Sequence, residues 1–232
     1  MINTEGALAM FGELGIAPES VVVIPLSFYL ESPSLGHFLR DKYIDGWLRL
    51  GVGAPPEGGS LTEQQLIQQQ KDTIPSLFDA FKQDAPVRPA RGAPRGAPPK
   101  GLYTSCYEFT FAFARSEGQK SLRMWGGRWA TADATALEVA LTFWDLVLPY
   151  APSYDESGAR AGTGAPSFSA RQYALWKQFL TEASGARIVT RDTWTQFLEF
   201  TREIDPAFER HDFDAAWPSV IDDFVALSLI HI

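Results

Sequence analysis

The chain has 232 residues, a single cysteine and a formal net charge of −8, with a pI near 4.9. At 45% hydrophobic and 21% charged it has the balance of a globular protein, with length enough for a real core. The acidic balance argues against nucleic acid or an anionic membrane as main partner, and the lone Cys106 rules out an internal disulfide and suits a reducing compartment. The start MINTEGALAM lacks the basic residues and long apolar run of a secretory signal. The longest apolar run, Val21 to Leu30, is broken by Pro25 and too short to span a bilayer, so a soluble, intracellular protein is expected.

In chain order, residues 5–14 read as a helix with Leu8, Phe11 and Leu14 inward, ended by Gly15. Pro18 leads into a dense apolar helix from Glu19 to Leu30, and Ser34 to Phe38 connects it to a third helix, Arg40 to Leu50. Gly51 to Ser60 is loop by its Gly and Pro content. Leu61 to Lys82 returns to helical spacing, with Pro75 either kinking it or opening a second helix. Ala85 to Gly101 is low-complexity, basic and rich in Pro and Gly, which predicts a surface loop.

Tyr103 to Ala114 presents a conflict. Tyr107, Phe109, Phe111 and Phe113 alternate as in a strand, yet no second strand of similar quality exists to pair with it. We read it as a buried helix. Ala136 to Leu148 is the next helix, Pro149 to Ser169 a loop, and Ala170 to Ala183 another helix. Two amphipathic helices close the chain. Trp194, Phe197, Leu198 and Ile204 line the first; Trp217, Val220, Ile221, Phe224 and Val225 line the second, with Asp214 as N-cap and Pro218 in the first turn. The sum is nine or ten helices and no convincing sheet, an all-α fold.

Charge is concentrated at that end. From Asp192 to Ile232 there are nine acids against Arg202 and Arg210, a net −7 of the chain's −8. An apolar stripe explains why the helices fold; it does not require the remaining faces to be so one-signed. A basic protein partner would.

Catalytic motifs are missing. The three histidines and Cys106 lack zinc-ligand spacing, and neither a phosphate-binding loop nor a nucleophile elbow is present. Cys106, among Tyr103, Tyr107 and Phe109, reads as a small buried apolar residue rather than a nucleophile. Asp222 and Asp223 are neighbours and so diverge by about 100° on a helix, too far to share a proton. No D-x-[DN]-x-[DN]-G run with a closing Glu offers calcium its oxygen cage.

DTW at 192–194, AWP at 216–218 and IDDFV at 221–225, in that order and spacing, resemble the C-terminal signature of the defective-in-cullin-neddylation family. Its PONY (DCUN1) domain promotes transfer of a ubiquitin-like modifier to cullins. The resemblance implies one all-α domain of two abutting EF-hand-like lobes, about 1–115 and 134–227, with degenerate calcium loops. GQKSL at 118–122 looks like a family turn, and Arg123 to Asp133 like an insertion beside it. No N-terminal ubiquitin-binding module is present in this reading.

What the family does is implied in the same way: a monomeric ligase-type scaffold of nucleus and cytoplasm, with no cofactor and no catalytic residues of its own. The family's cullin-holding residues fall on Asp192, Ala216 and Asp222. Two fixed carboxylates can take charge-assisted hydrogen bonds from Lys or Arg of the cullin's C-terminal winged-helix domain, and a methyl-sized residue between them permits close approach. Taken singly, Asp192 also reads as a helix-start carboxylate and Ala216 as a helix former. The family's second site is an apolar pocket for the N-acetylated methionine of the conjugating enzyme, which falls on Ala7, Val23, Leu26, Phe38, Phe113, Phe143 and Leu146. Any helical core shows such a stripe, so pocket and packing both remain open for these residues. The rival from another class is an EF-hand-like calcium sensor or a general helical adaptor.

Overall fold

Asn3 opens the first helix by accepting the Gly6 N–H on its side-chain oxygen at 3.0 Å, and Gly15 closes it at φ 72°. The computed structural model describes residues 1–55, 59–89, 99–115, 136–157, 167–184 and 189–231. Over these residues the chain forms nine α-helices and one very small sheet, and it divides into two compact units, 1–133 and 134–232. The centre of the basic loop (90–98), the GQKSL turn, the 123–133 insertion and the Phe113 side chain lie outside the described residues.

In the first unit, α1 (Thr4–Leu14) is followed by α2 (Val23–Tyr29), which begins four residues later than expected. Residues 17–23 form tight turns instead, with Val23 N–H on Ser20 O at 3.0 Å. Starting at Val23 places Pro25 in the first helical turn, where its missing N–H leaves no bond unmade. The helix α3 (Arg40–Leu50) has the bounds its sequence announces, with Gly51 in the left-handed region at φ 90°. Packing of α2 on α3 depends on Gly46: a Cβ there would lie 2.4 Å from Tyr29 O and 2.9 Å from Leu30 Cα. Backbone cannot yield as a side-chain tip can. Gly46→Ala should therefore destabilise the unit by about 1–3 kcal/mol, although alanine is the better helix former; urea unfolding checks this.

A capping box of Thr62 and Gln65 opens α4 (Glu63–Lys82), which carries Pro75 as one continuous helix. The contested aromatic stretch is helical: α5 (Leu102–Arg115) buries Tyr103, Cys106, Tyr107 and Thr110, spaced i, i+3, i+4, i+7. The strand-like alternation does not mark the buried face, since Phe109 and Phe111 are only half-buried.

The second unit is built around stacked aromatic rings. It comprises α6 (Ala136–Val147) with a 3₁₀ turn to Tyr150, α7 (Ala170–Gln178) with a π turn to Ala183, α8 (Arg191–Glu203) and α9 (Ser219–His231). Trp144 stacks on Trp194 at 4.8 Å, and Phe197 on Trp176 at 4.4 Å. Phe224 of α9 meets Trp176 edge-on at 5.0 Å. Two expectations need correction. The stretch read as loop from Pro149 to Ser169 contains a parallel pair, β1 (Tyr154–Asp155) and β2 (Phe168–Ser169), two residues each and too short to leave a period in the sequence. And α9 begins at Ser219, not after Asp214: Pro218 stands just before the helix and its carbonyl accepts the Ile221 N–H at 2.8 Å.

Candidate functional site

The chemistry-bearing residues of the acidic end are set by α8, the turn that follows it, and the first turn of α9. Thr190 caps α8 by accepting the Thr193 N–H at 3.0 Å. This places Asp192 in the first turn, exposed and without a hydrogen-bond or ion-pair partner among the described residues, where the helix dipole favours a carboxylate. The opposite face of α8, with Trp194, Phe197, Leu198 and Phe200, is buried.

Beyond Ile204 the chain turns back on itself through Asp205. Its carboxylate accepts the N–H of Ala207 at 3.1 Å and of Arg210 at 2.8 Å. Phe208 takes φ 61°, a conformation unfavourable for a bulky residue, and its ring is 2% exposed, against Phe200 and Phe224. Burial of that ring offsets the strain. The turn delivers His211, whose side chain is 1% exposed, against Phe200, Phe213 and Trp217. His211 Nε2 lies 2.8 Å from Asp222 Oδ1. An ionised carboxylate only accepts, so the ring nitrogen donates.

Asp222 thus stands in the first turn of α9 with its side chain 29% exposed, one oxygen held from below. Ala216 is exposed in the loop before α9, where Trp217 N–H bonds Ala215 O at 2.9 Å and Asp214 N–H bonds Asp212 Oδ1 at 2.9 Å. Ala216 and Asp222 belong to one local arrangement around Trp217 and His211. Asp192 sits eight residues before Phe200, the α8 residue that touches those rings, or about 12 Å along the helix axis.

His211 had no assigned role in the sequence reading. A lone histidine eleven residues from an Asp-Asp pair carries no recognisable pattern, because the contact depends on the turn at Phe208.

The residues aligned with the apolar pocket behave differently. Ala7, Val23, Leu26 and Phe38 are 0–2% exposed in the core of the first unit. Phe38 is bonded through its backbone to Ile2 (2.8 and 3.0 Å) and packs against Phe11 and Tyr43. In the second unit Phe143 is buried and Leu146 half-buried on α6. Cys106 is fully buried. Burial pushes its thiol well above the usual range, and the charge of Asp84 adds to this, which suppresses the thiolate a nucleophile needs. Among the described residues no three His, Cys, Asp or Glu side chains gather as metal ligands, and no helix is long and apolar enough to cross a membrane.

A family model described as "Cullin binding" matches residues 93–227, which contain α5 and the whole acidic face. The chain is also 44% identical, over 97% of its length, to Defective in cullin neddylation protein 1 of Mycosarcoma maydis. It belongs to the defective-in-cullin-neddylation family. Another member, the protein of that name from Cryptococcus neoformans, is 34% identical over 97% of the chain. DCN1-like protein 3 of Drosophila melanogaster is 23% identical over 97%. The chain spans 64%, 68% and 50% of these family members' own lengths. The match covers Asp192, Ala216 and Asp222, and stops at residue 227, four residues short of the end of α9.

Proposed function

We propose that this chain serves cullin neddylation as a scaffold without catalytic residues of its own, docking a cullin on the acidic face of its second unit. The observation that carries the proposal is the state of Asp192, Ala216 and Asp222. All three are accessible to a partner while the apolar stripes of α8 and α9 are buried. Membership of a family named for cullin binding and cullin neddylation supports the choice of partner. The surplus of acids fits a basic surface, which the cullin's C-terminal winged-helix domain would supply.

The second contact in this reading is the N-acetylated N-terminus of the modifier-conjugating enzyme, received in the first unit by the apolar residues Ala7, Val23, Leu26 and Phe38. Burying a methionine side chain is worth about 1.5–3 kcal/mol. All four are sealed in the core, so in this reading the surrounding packing would have to open to admit the guest. Joined to both partners, a monomeric scaffold in nucleus and cytoplasm would bring the acceptor lysine to the loaded enzyme, so that the rate gain comes from proximity and orientation. Reconstituted transfer of the modifier to a cullin C-terminal fragment tests this. Acceleration on adding the chain is expected, and an unchanged rate would refute the scaffold role.

A further inference from the structure

Phe213 is the one exposed aromatic side chain among the described residues, at 51%, although every other ring of the second unit's described residues is buried or half-buried. It does not complete the core. Its single ring contact is His211, met edge to face with centroids 4.6 Å apart and planes at 87°. His211 in turn holds Asp222 at 2.8 Å, and its side chain is almost fully buried. An exposed apolar ring and an accessible carboxylate therefore both contact one imidazole. That imidazole is itself packed by Phe200 and Trp217, which fixes its position.

We infer that Phe213 and Asp222 form a composite contact for one basic side chain of the docked partner, with His211 as the positioning residue between them. This rests on the docking reading above and adds to it the residue that selects the side chain. Asp222 takes the cationic head through a charge-assisted hydrogen bond, while the aliphatic stem or guanidinium plane lies on the Phe213 ring. Asp212 and Asp214, both exposed on either side of Phe213, favour a cation and disfavour an acidic or purely apolar guest. A hydrophobic partner alone would have to leave those carboxylates desolvated and unpaired, which is costly.

The test is a titration of the full chain with a cullin C-terminal fragment, at low and at high salt, for Phe213→Ala, Phe213→Trp and Asp222→Lys. Phe213→Ala should weaken binding about tenfold, the size expected of an aromatic anchor, and most of that loss should persist at high salt because ring packing is not screened. Phe213→Trp should restore affinity to within about twofold, since tryptophan is the better face for a cation. As Phe213 lies outside the core, unchanged thermal unfolding accompanies both variants. If Phe213→Ala binds like the parent while Asp222→Lys does not bind, the composite contact is wrong and the docking face stands. If Asp222→Lys also binds like the parent, the docking face itself is wrong and this contact falls with it.

Discussion

Asp222→Lys is expected to abolish binding to a cullin C-terminal fragment. The substitution places a cation where the proposed partner brings one, and removes a carboxylate that His211 already holds in place at 2.8 Å. Loss of a well-positioned charge partner at an interface costs about 2–5 kcal/mol, roughly 30-fold to several-thousand-fold in affinity, and like-charge repulsion adds to it. Asp222→Asn separates charge from geometry. Its amide oxygen can still accept from the imidazole, so the turn at Phe208 is retained, and affinity should fall to an intermediate value. Parent-like affinity for the lysine variant, measured by titration calorimetry, would remove Asp222 from the site.

Phe197→Ala should have the largest effect on stability. The ring is fully buried, lies 4.4 Å from Trp176 and 5.0 Å from Trp144, and meets Phe168 and Phe200. Truncation leaves a cavity between two flat indoles that cannot close around a methyl group, and such losses cost about 3–5 kcal/mol. Set against a typical domain stability of about 5–15 kcal/mol, that is a large fraction of the total. Urea unfolding followed by tryptophan fluorescence measures it directly. A loss below about 1 kcal/mol would mean the stacked rings are not what holds α7, α8 and α9 together.

Much of the fold was legible where local signals agree. The bounds of α3 follow from its apolar spacing and Gly51. In α5 the local signals conflict, and the buried set Tyr103, Cys106, Tyr107 and Thr110 has a helical period that the strand-like alternation masks. The misplaced starts of α2 and α9 have one cause. Proline fixes where a helix can begin but allows more than one register, and the choice is made by tertiary packing: Pro25 is in the first turn of α2, Pro218 just ahead of α9. The two-residue β pair is below the length at which alternation can be read.

The candidate site was legible only in part. Asp192, Ala216 and Asp222 were proposed from the family resemblance of short motifs, and the apolar stripes beside them were read from periodicity. The turn from Asp205 to His211 was not, because a strained Phe208 and a buried imidazole are decided by rings far away in sequence. Nor does sequence separate a receptive pocket from ordinary packing: Ala7, Val23, Leu26 and Phe38 have the composition of both, and they lie sealed in the core.

Docking by complementary charge has a signature that no apolar interface shares. Affinity for the cullin fragment should fall steeply between about 50 and 500 mM salt, as the screening length contracts to a few ångströms. That loss should be smaller in Asp192→Asn/Asp222→Asn, which removes two of the nine acids of this end. An affinity for the parent chain that stays flat across the same range would contradict electrostatic docking on this face.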